Sequence, residues 1–212
     1  MKILRFAAVM MVILISLFGV LDIRMEQGNN GTNNSGQTEL AKTATTRPSF
    51  GNVSGLPESC KTEKNPVYVN LKFQYCFAYP ARFNSSESED GQPSITGPVL
   101  EQSVEPLAAS LGIITQKAPA GRSLDQIVID FAGQFAGSNA PDIVETGFAL
   151  GAQPAVLLEP VPGRGSSRDI LLLHKGLVYH LVFFPSPKEF PQARSDLEEL
   201  FKTVTKSFAF LP

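Results

Sequence analysis

The first 59 residues constrain this chain most, because they cannot belong to the same folded core as the rest. Lys2 and Arg5 precede an apolar run at residues 6–21, and a polar segment rich in Asn, Gly, Thr and Ser follows. That order is typical of an export signal or membrane anchor, then a linker, then a domain. We therefore divide the chain into a signal-anchor or signal peptide at 1–24, a linker at 25–59 and an α+β domain at 60–212.

The apolar run has a length between that of a cleaved signal and that of an anchor. A signal-peptide core has ~7–15 apolar residues and a membrane-spanning helix about 20. The end of the run offers only Gly19 as a small residue for cleavage, which favours an uncleaved anchor through residues 3–23. A cleaved signal stays the alternative. The basic residues in front predict a domain outside the cytoplasm, either anchored in the cytoplasmic membrane or secreted into the periplasm or medium.

The linker and the two cysteines point to the same compartment. Residues 25–59 contain too few apolar side chains to offset the entropy of an ordered chain, so we expect disorder there. Cys60 and Cys76 are the two cysteines of the chain. In an exported protein this even count predicts a disulfide, which would join the end of the linker to the first long strand. Two unpaired cysteines remain the alternative.

The remaining ~150 residues suit one domain of the α+β class. Short turns between apolar segments predict an antiparallel β-sheet of about 6–8 strands, covered by two main helices in an α/β/α sandwich. Ser123 and Gln126 predict a capping box that opens the first helix, which we expect to end at Gly137. The other segments are predicted as a strand with alternating aromatic residues at 73–79, a polar loop at 84–93 and a second helix at 191–205.

Composition excludes one large class of function. The net charge is −2, and no basic cluster of the kind that binds nucleic acid is present. Trp is absent while Phe occurs 15 times, which favours a packed aromatic core over a surface for stacking bases or sugars. We therefore predict no nucleic-acid partner.

The two histidines, His174 and His180, lie in the strongest predicted hairpin. A two-residue turn at Lys175 and Gly176 would place Leu171 opposite His180. Because side chains alternate between the faces of a strand, the two histidines should then point to opposite faces and share no metal. We expect His174 at a solvated turn and His180 under a helix. An enzyme that uses His180 with a carboxylate is an alternative.

Other groups that could carry chemistry fit structural roles better. Glu87, Glu89 and Asp90 could hold Ca²⁺, but their spacing matches no calcium loop and predicts a solvated acidic loop. Ser166 lacks the Gly-x-Ser-x-Gly context of a nucleophile. Three arginines flank loops, at Arg122, Arg164 and Arg168, and the glycine-rich segment 163–167 leads into a strand, whereas a phosphate loop leads into a helix. We predict no catalytic residue, metal or cofactor.

The order of several motifs resembles that of PsbP-like domains. The motifs are FAYPARF at 77–83, LGAQPA at 150–155, LVYHL at 177–181 and KSFAF at 206–210, with the central helix from Ser123 between them. The resemblance covers about residues 65–212. It implies an antiparallel sheet sandwiched by helices and a generally non-enzymatic role. No metal-binding residue of the photosynthetic members is matched in this chain.

Three functions follow as hypotheses. The first is a non-catalytic module that binds, or helps to assemble, a protein partner at the outer face of the membrane. The second is a carrier of a small apolar ligand, which needs a cavity between the aromatic strand at 73–79 and a helix. The third is a hydrolase-like enzyme that uses His180.

Overall fold

Antiparallel strands are the main secondary structure of the described residues. The computed structural model describes residues 55–100, 107–135, 137, 140–163 and 165–212, all within the compact unit Thr46–Pro212. In these residues the strands are β1 (Val67–Asn70), β2 (Tyr75–Ala78), β3 (Asn84–Glu87), β4 (Pro93–Thr96), β5 (Ser110–Lys117), β6 (Ile143–Leu150), β7 (Gln153–Val161), β8 (Ser167–His174), β9 (Leu177–Phe184) and β10 (Ala209–Phe210). The helices are α1 (Leu124–Ala132) and α2 (Arg194–Ser207).

The strands form two sheets. The larger has seven strands in the order β3-β4-β5-β9-β8-β7-β6, and the smaller has the order β1-β2-β10. All neighbouring strands are antiparallel, which confirms the predicted α+β class. From β6 to β9, each strand pairs with the next strand in sequence, because the connecting turns are short. Strand β5 pairs with β9, although α1 and strands β6 to β8 lie between them in sequence.

Each face of the large sheet is covered differently. On one face, which we call the α2 face, Tyr179, Leu181 and Phe183 pack in one core with α2 and with the aromatic side chains of the small sheet. On the other, the α1 face, Leu171 and Val178 pack with Val128 of α1. This division follows from the alternation of side chains along β8 and β9.

Helix α1 begins where the sequence predicts and ends earlier. Ser123 accepts a hydrogen bond from the backbone N–H of Gln126, and the Gln126 side chain accepts one from the backbone N–H of Ser123. The α-helical pattern stops at Ala132, not at Gly137, because the next backbone N–H groups bond three residues back, from Gln134 to Phe131 and from Phe135 to Ala132. Phe135 nevertheless packs against the α1-face core, as its helical spacing predicted.

The segment predicted as a polar loop at 84–93 contains a strand. Its Asn, Ser and Glu residues are poor strand formers, so the prediction was wrong for a physical reason. Strand β3 pairs with β4, and two side-chain hydrogen bonds tie it to the body of the domain. The Tyr68 hydroxyl donates to Glu87 over 2.5 Å, and the Tyr79 hydroxyl donates to Ser85 over 3.0 Å.

The structure does not describe the residues that are predicted to attach the chain to a membrane. Among the described residues, no helix is both long and apolar enough to span a bilayer. The predicted anchor at 3–23 and the linker up to residue 54 lie outside the described ranges.

Candidate functional site

The two histidines occupy the positions that the hairpin register predicted. Leu171 pairs with His180, and His174 pairs with Leu177 around the Lys175–Gly176 turn. The His174 ring lies against Phe210 of β10, whereas the His180 ring lies against Phe131 of α1. The two imidazoles therefore face opposite sides of the sheet, as the hairpin register predicted.

His180 has an acidic partner that the sequence analysis missed. Its Nε2 lies 2.5 Å from Oδ2 of Asp169 on β8, and its ring centroid lies 5.0 Å from that of Phe131. The Asp169 side chain is 2% exposed and that of His180 17%. A carboxylate oxygen this close can accept a hydrogen bond from Nε2–H, which holds the ring in place and leaves Nδ1 as the other ring nitrogen. The pair is thus a potential acid–base group.

The register of β8 and β9 is enough to predict this pair from the sequence. Asp169 lies two residues before Leu171, which pairs with His180, so the two side chains had to share a face. The other Asp169 oxygen, Oδ1, is buried without a hydrogen-bond partner among the described residues. No group of three or more His, Cys, Asp or Glu side chains that could hold a metal occurs in the part of the chain that the structure describes.

His174 lies in a packed contact, not at a solvated turn as expected. Its ring stacks on Phe210 with the centroids 3.8 Å apart and an angle of 21° between the planes. Burial, and then the charge of Lys175, lower the pKa of His174. The turn residues stay exposed, but the C-terminal strand β10 covers the imidazole.

The lowered pKa of His174 predicts a loss of stability in acid. In the unfolded chain the imidazole takes up a proton near its ordinary pKa of about 6.5, while the folded chain resists it. The contribution to stability is therefore complete above that pH and is lost as the pH falls through the folded pKa. We expect the urea midpoint to fall less between pH 7 and pH 5 in His174→Gln than in the wild type. Equal falls would show that His174 does not couple folding to pH.

The acidic side chains at 87–90 do not converge. Glu87 accepts the hydrogen bond from Tyr68, and burial followed by this carboxylate raises the pKa of the Tyr68 hydroxyl. Glu89 and Asp90 are exposed, and Lys72 donates to the backbone oxygen of Asp90 over 2.6 Å. The Glu87 side chain therefore ties β3 of the large sheet to β1 of the small sheet.

The two cysteines lie at disulfide distance. The Sγ atoms of Cys60 and Cys76 are 2.05 Å apart, and both residues are fully buried. Cys60 ends a 3₁₀ turn at Glu58–Cys60, and Cys76 lies in β2. The contact joins the end of the linker to the central strand of the small sheet, which is where the sequence analysis expected it.

The arginines take part in ion pairs. Arg168 Nε lies 2.9 Å from Oε2 of Glu159 in a buried pair, and Arg122 forms an exposed pair with Asp130 over 3.3 Å. Arg164 lies outside the described residues. The Ser166 backbone N–H donates to Glu189, and its hydroxyl is buried without a partner among the described residues. Nothing in this arrangement positions Ser166 as a nucleophile.

The aromatic side chains from which the carrier hypothesis started pack against other aromatic rings. Tyr75 and Phe77 are fully buried, and their rings stack on Phe208 at 5.4 and 6.4 Å between centroids. Tyr179 packs edge-on against Tyr75 at 5.9 Å. The aromatic strand therefore contacts other aromatic rings directly.

Comparison with known proteins gives similarity in structure alone. No protein-family model and no curated protein matches this chain. The chain is similar to the solution structure of cyanobacterial PsbP (CyanoP) from Synechocystis sp. PCC 6803, with 14% identity and a TM-score of 0.47, over 76% of this chain and 99% of that one. It is also similar to a crystal structure from Bacteroides thetaiotaomicron VPI-5482, with 12% identity and a TM-score of 0.42, over 70% of this chain and about half (49%) of that one.

Proposed function

We propose that this chain is a non-catalytic binding module that works outside the cytoplasm, anchored in the cytoplasmic membrane through residues 3–23 or secreted. The observation that carries this proposal is the close pair of Cys60 and Cys76, which lies at the junction of linker and domain. Disulfides persist in oxidising compartments and are rare in the cytosol. The basic and apolar leader before the linker supports the same location.

Fractionation of cells tests this location directly. The full chain and a chain that lacks residues 1–59 are expressed with a C-terminal tag, separated into membrane and soluble fractions, and used to pull down partners. We expect the full chain outside the cytoplasm, where externally added protease reaches it, and the shorter chain inside with fewer partners. If both chains have the same location and the same partners, the membrane-tethered proposal is wrong.

Loss of the cysteine pair should lower stability substantially. The two residues are 16 apart in sequence, and closing a loop of this length stabilises by roughly 3 kcal/mol in the chain-entropy model. We expect Cys60→Ala/Cys76→Ala to lower the free energy of unfolding, measured in urea, by about that amount. Reductant should lower the free energy of unfolding of the wild type by a similar amount and leave that of the double variant unchanged. A wild type insensitive to reductant would argue against a disulfide.

The Asp169–His180 pair is an observation that favours the enzyme alternative. That alternative requires a carboxylate beside His180, and Asp169 is such a neighbour. A panel of p-nitrophenyl esters and phosphates therefore serves as a test with wild type and His180→Gln. We expect no hydrolysis above background from either protein. Turnover by the wild type that His180→Gln abolishes would contradict the non-catalytic proposal.

A further inference from the structure

The Asp169–His180 pair lies on a part of the α1 face that is only half-buried. Side chains two residues apart on a strand share a face, so the strand register gives the neighbours of the pair. His180 has Ile114 of β5 on one side and Leu171 of β8 on the other. Asp169 lies one row away, next to Val182 of β9. Ile114, Val182 and His180 are each half-buried, so solvent reaches this side of the pair.

Gly112 leaves room beside the imidazole. It pairs with Val182, which makes it the diagonal neighbour of His180 across β5 and β9, at about 7–8 Å. A Cβ atom added to Gly112 would meet no atom of the described residues within 4 Å, its chain neighbours aside. The His180 side chain is 17% exposed. A small group from solvent therefore has space over Gly112, next to the imidazole.

The charge beside this space is negative. The Asp169 side chain is 2% exposed, and its Oδ1 has no hydrogen-bond partner among the described residues. Its chain neighbour Arg168 pairs with Glu159 on the other face, and Arg122, which precedes α1, pairs with Asp130. The positions around the pair on the α1 face are uncharged, namely Gly112, Ile114, Val156, Leu158, Leu171 and Val182. A buried carboxylate without a basic counter-ion favours a cationic ligand.

The imidazole and a phenyl ring favour an organic cation. With Nε2–H donated to Asp169, Nδ1 of the neutral imidazole accepts a hydrogen bond. An ammonium group donates such bonds, and the carboxylate behind the ring favours its charge. The Phe131 ring, 5.0 Å from the imidazole between centroids, adds an aromatic surface of the kind that attracts cations. Ile114 and Val182 offer apolar contact to an alkyl chain.

We propose that His180, with Asp169 behind it and Phe131 beside it, binds a primary alkylammonium ion, either a free amine or the side chain of a lysine. This inference goes beyond the proposed function, which assigns no ligand, and it does not depend on residues 1–59. The site lies on the α1 face, whereas the aromatic strand considered for an apolar ligand packs on the α2 face.

An NMR titration of the full chain, without a histidine tag and in a neutral detergent, tests the site. Because the chain has two histidines, His174→Gln leaves the imidazole resonance of His180 as the one to follow. We expect butylammonium chloride to shift this resonance. Neutral butanol and anionic butyrate should each bind at least about tenfold more weakly, because neither supplies a charged donor.

Variants in the His174→Gln background separate the contributions. Asp169→Asn removes the charge behind the imidazole and should weaken butylammonium binding about tenfold. Phe131→Leu keeps an apolar side chain, removes the aromatic ring and should weaken binding about threefold. The matched control Asp125→Asn removes an exposed carboxylate of α1 and should change binding by less than about twofold. If Asp169→Asn does not fold, Phe131→Leu and the comparison with butanol decide.

The outcomes also identify the source of the ammonium group. Tighter binding of Nα-acetyl-lysine amide than of butylammonium identifies the lysine of a protein partner, and the reverse identifies a free amine. A His180 resonance that butylammonium leaves unchanged, or equal binding of butanol, overturns the site. A loss in Asp125→Asn as large as that in Phe131→Leu overturns it as well. The fractionation experiment is independent of these results, so the proposed function can fail while this site stands.

Discussion

Replacement of Arg168 by methionine is expected to lower the free energy of unfolding by about 3–5 kcal/mol. The Arg168 side chain is 13% exposed and that of its partner Glu159 is 5% exposed. Removal of the guanidinium leaves the Glu159 carboxylate buried with the Ser186 hydroxyl as a hydrogen-bond donor over 2.6 Å. A buried charge without its counter-ion costs far more than the pair contributes, so this single change should be among the most damaging in the domain.

The neighbours of Arg168 add to this expectation. Its guanidinium lies 4.8 Å from the centroid of the Phe201 ring, and its NH1 group lies 3.0 Å from Glu198, both on α2. The side chain therefore joins the start of β8 to the helix that covers the α2 face. Methionine keeps part of the packing against Phe201 and removes the charge. The loss of stability should therefore come chiefly from the broken ion pair.

An exposed ion pair supplies the control for this prediction. Arg122 and Asp130 are 44% and 52% exposed, and Arg122→Met should cost less than about 1 kcal/mol. The double variant Glu159→Gln/Arg168→Met removes both buried charges and should recover part of the loss. Urea unfolding of the four proteins measures the difference. Equal stabilities of Arg168→Met and Arg122→Met would mean that the Glu159–Arg168 pair is not kept in solution.

Local sequence rules predicted the β8–β9 hairpin and the start of α1, whereas α2 begins at Arg194 after a 3₁₀ turn and not at residue 191 as predicted. The register of β8 and β9 follows from the two-residue turn at Lys175–Gly176, and the start of α1 follows from the Ser123–Gln126 capping box. Both depend on residues within a few positions of one another. The strand β3 depends on pairing with β4 and on hydrogen bonds to Tyr68 and Tyr79, so its own residues gave no sign of it.

The Asp169–His180 pair follows from the hairpin register and not from the spacing of the two residues in sequence. The predicted register places His180 on the correct face. The same register also places the Asp169 side chain on that face, next to His180.

Truncation of Phe77 to alanine is the second change with a large expected effect. Phe77 is fully buried, and its ring lies 5.4 Å from that of Tyr68 and 6.2 Å from that of Tyr75. Removal of a buried phenyl ring from such a core costs about 3–5 kcal/mol, through lost burial and the cavity that remains. Urea unfolding should show this loss, while Leu71→Ala at an exposed position should stay within about 0.5 kcal/mol of the wild type.

The same variant tests whether the core has room for an apolar ligand. A cavity lined by aromatic rings stays dry and takes up benzene, so benzene should raise the melting temperature of Phe77→Ala. The wild type should show no such rise, because Phe77, Tyr75 and Phe208 fill the space with their own rings. A rise in the wild type of similar size would reveal an internal space and support the carrier function over the binding module.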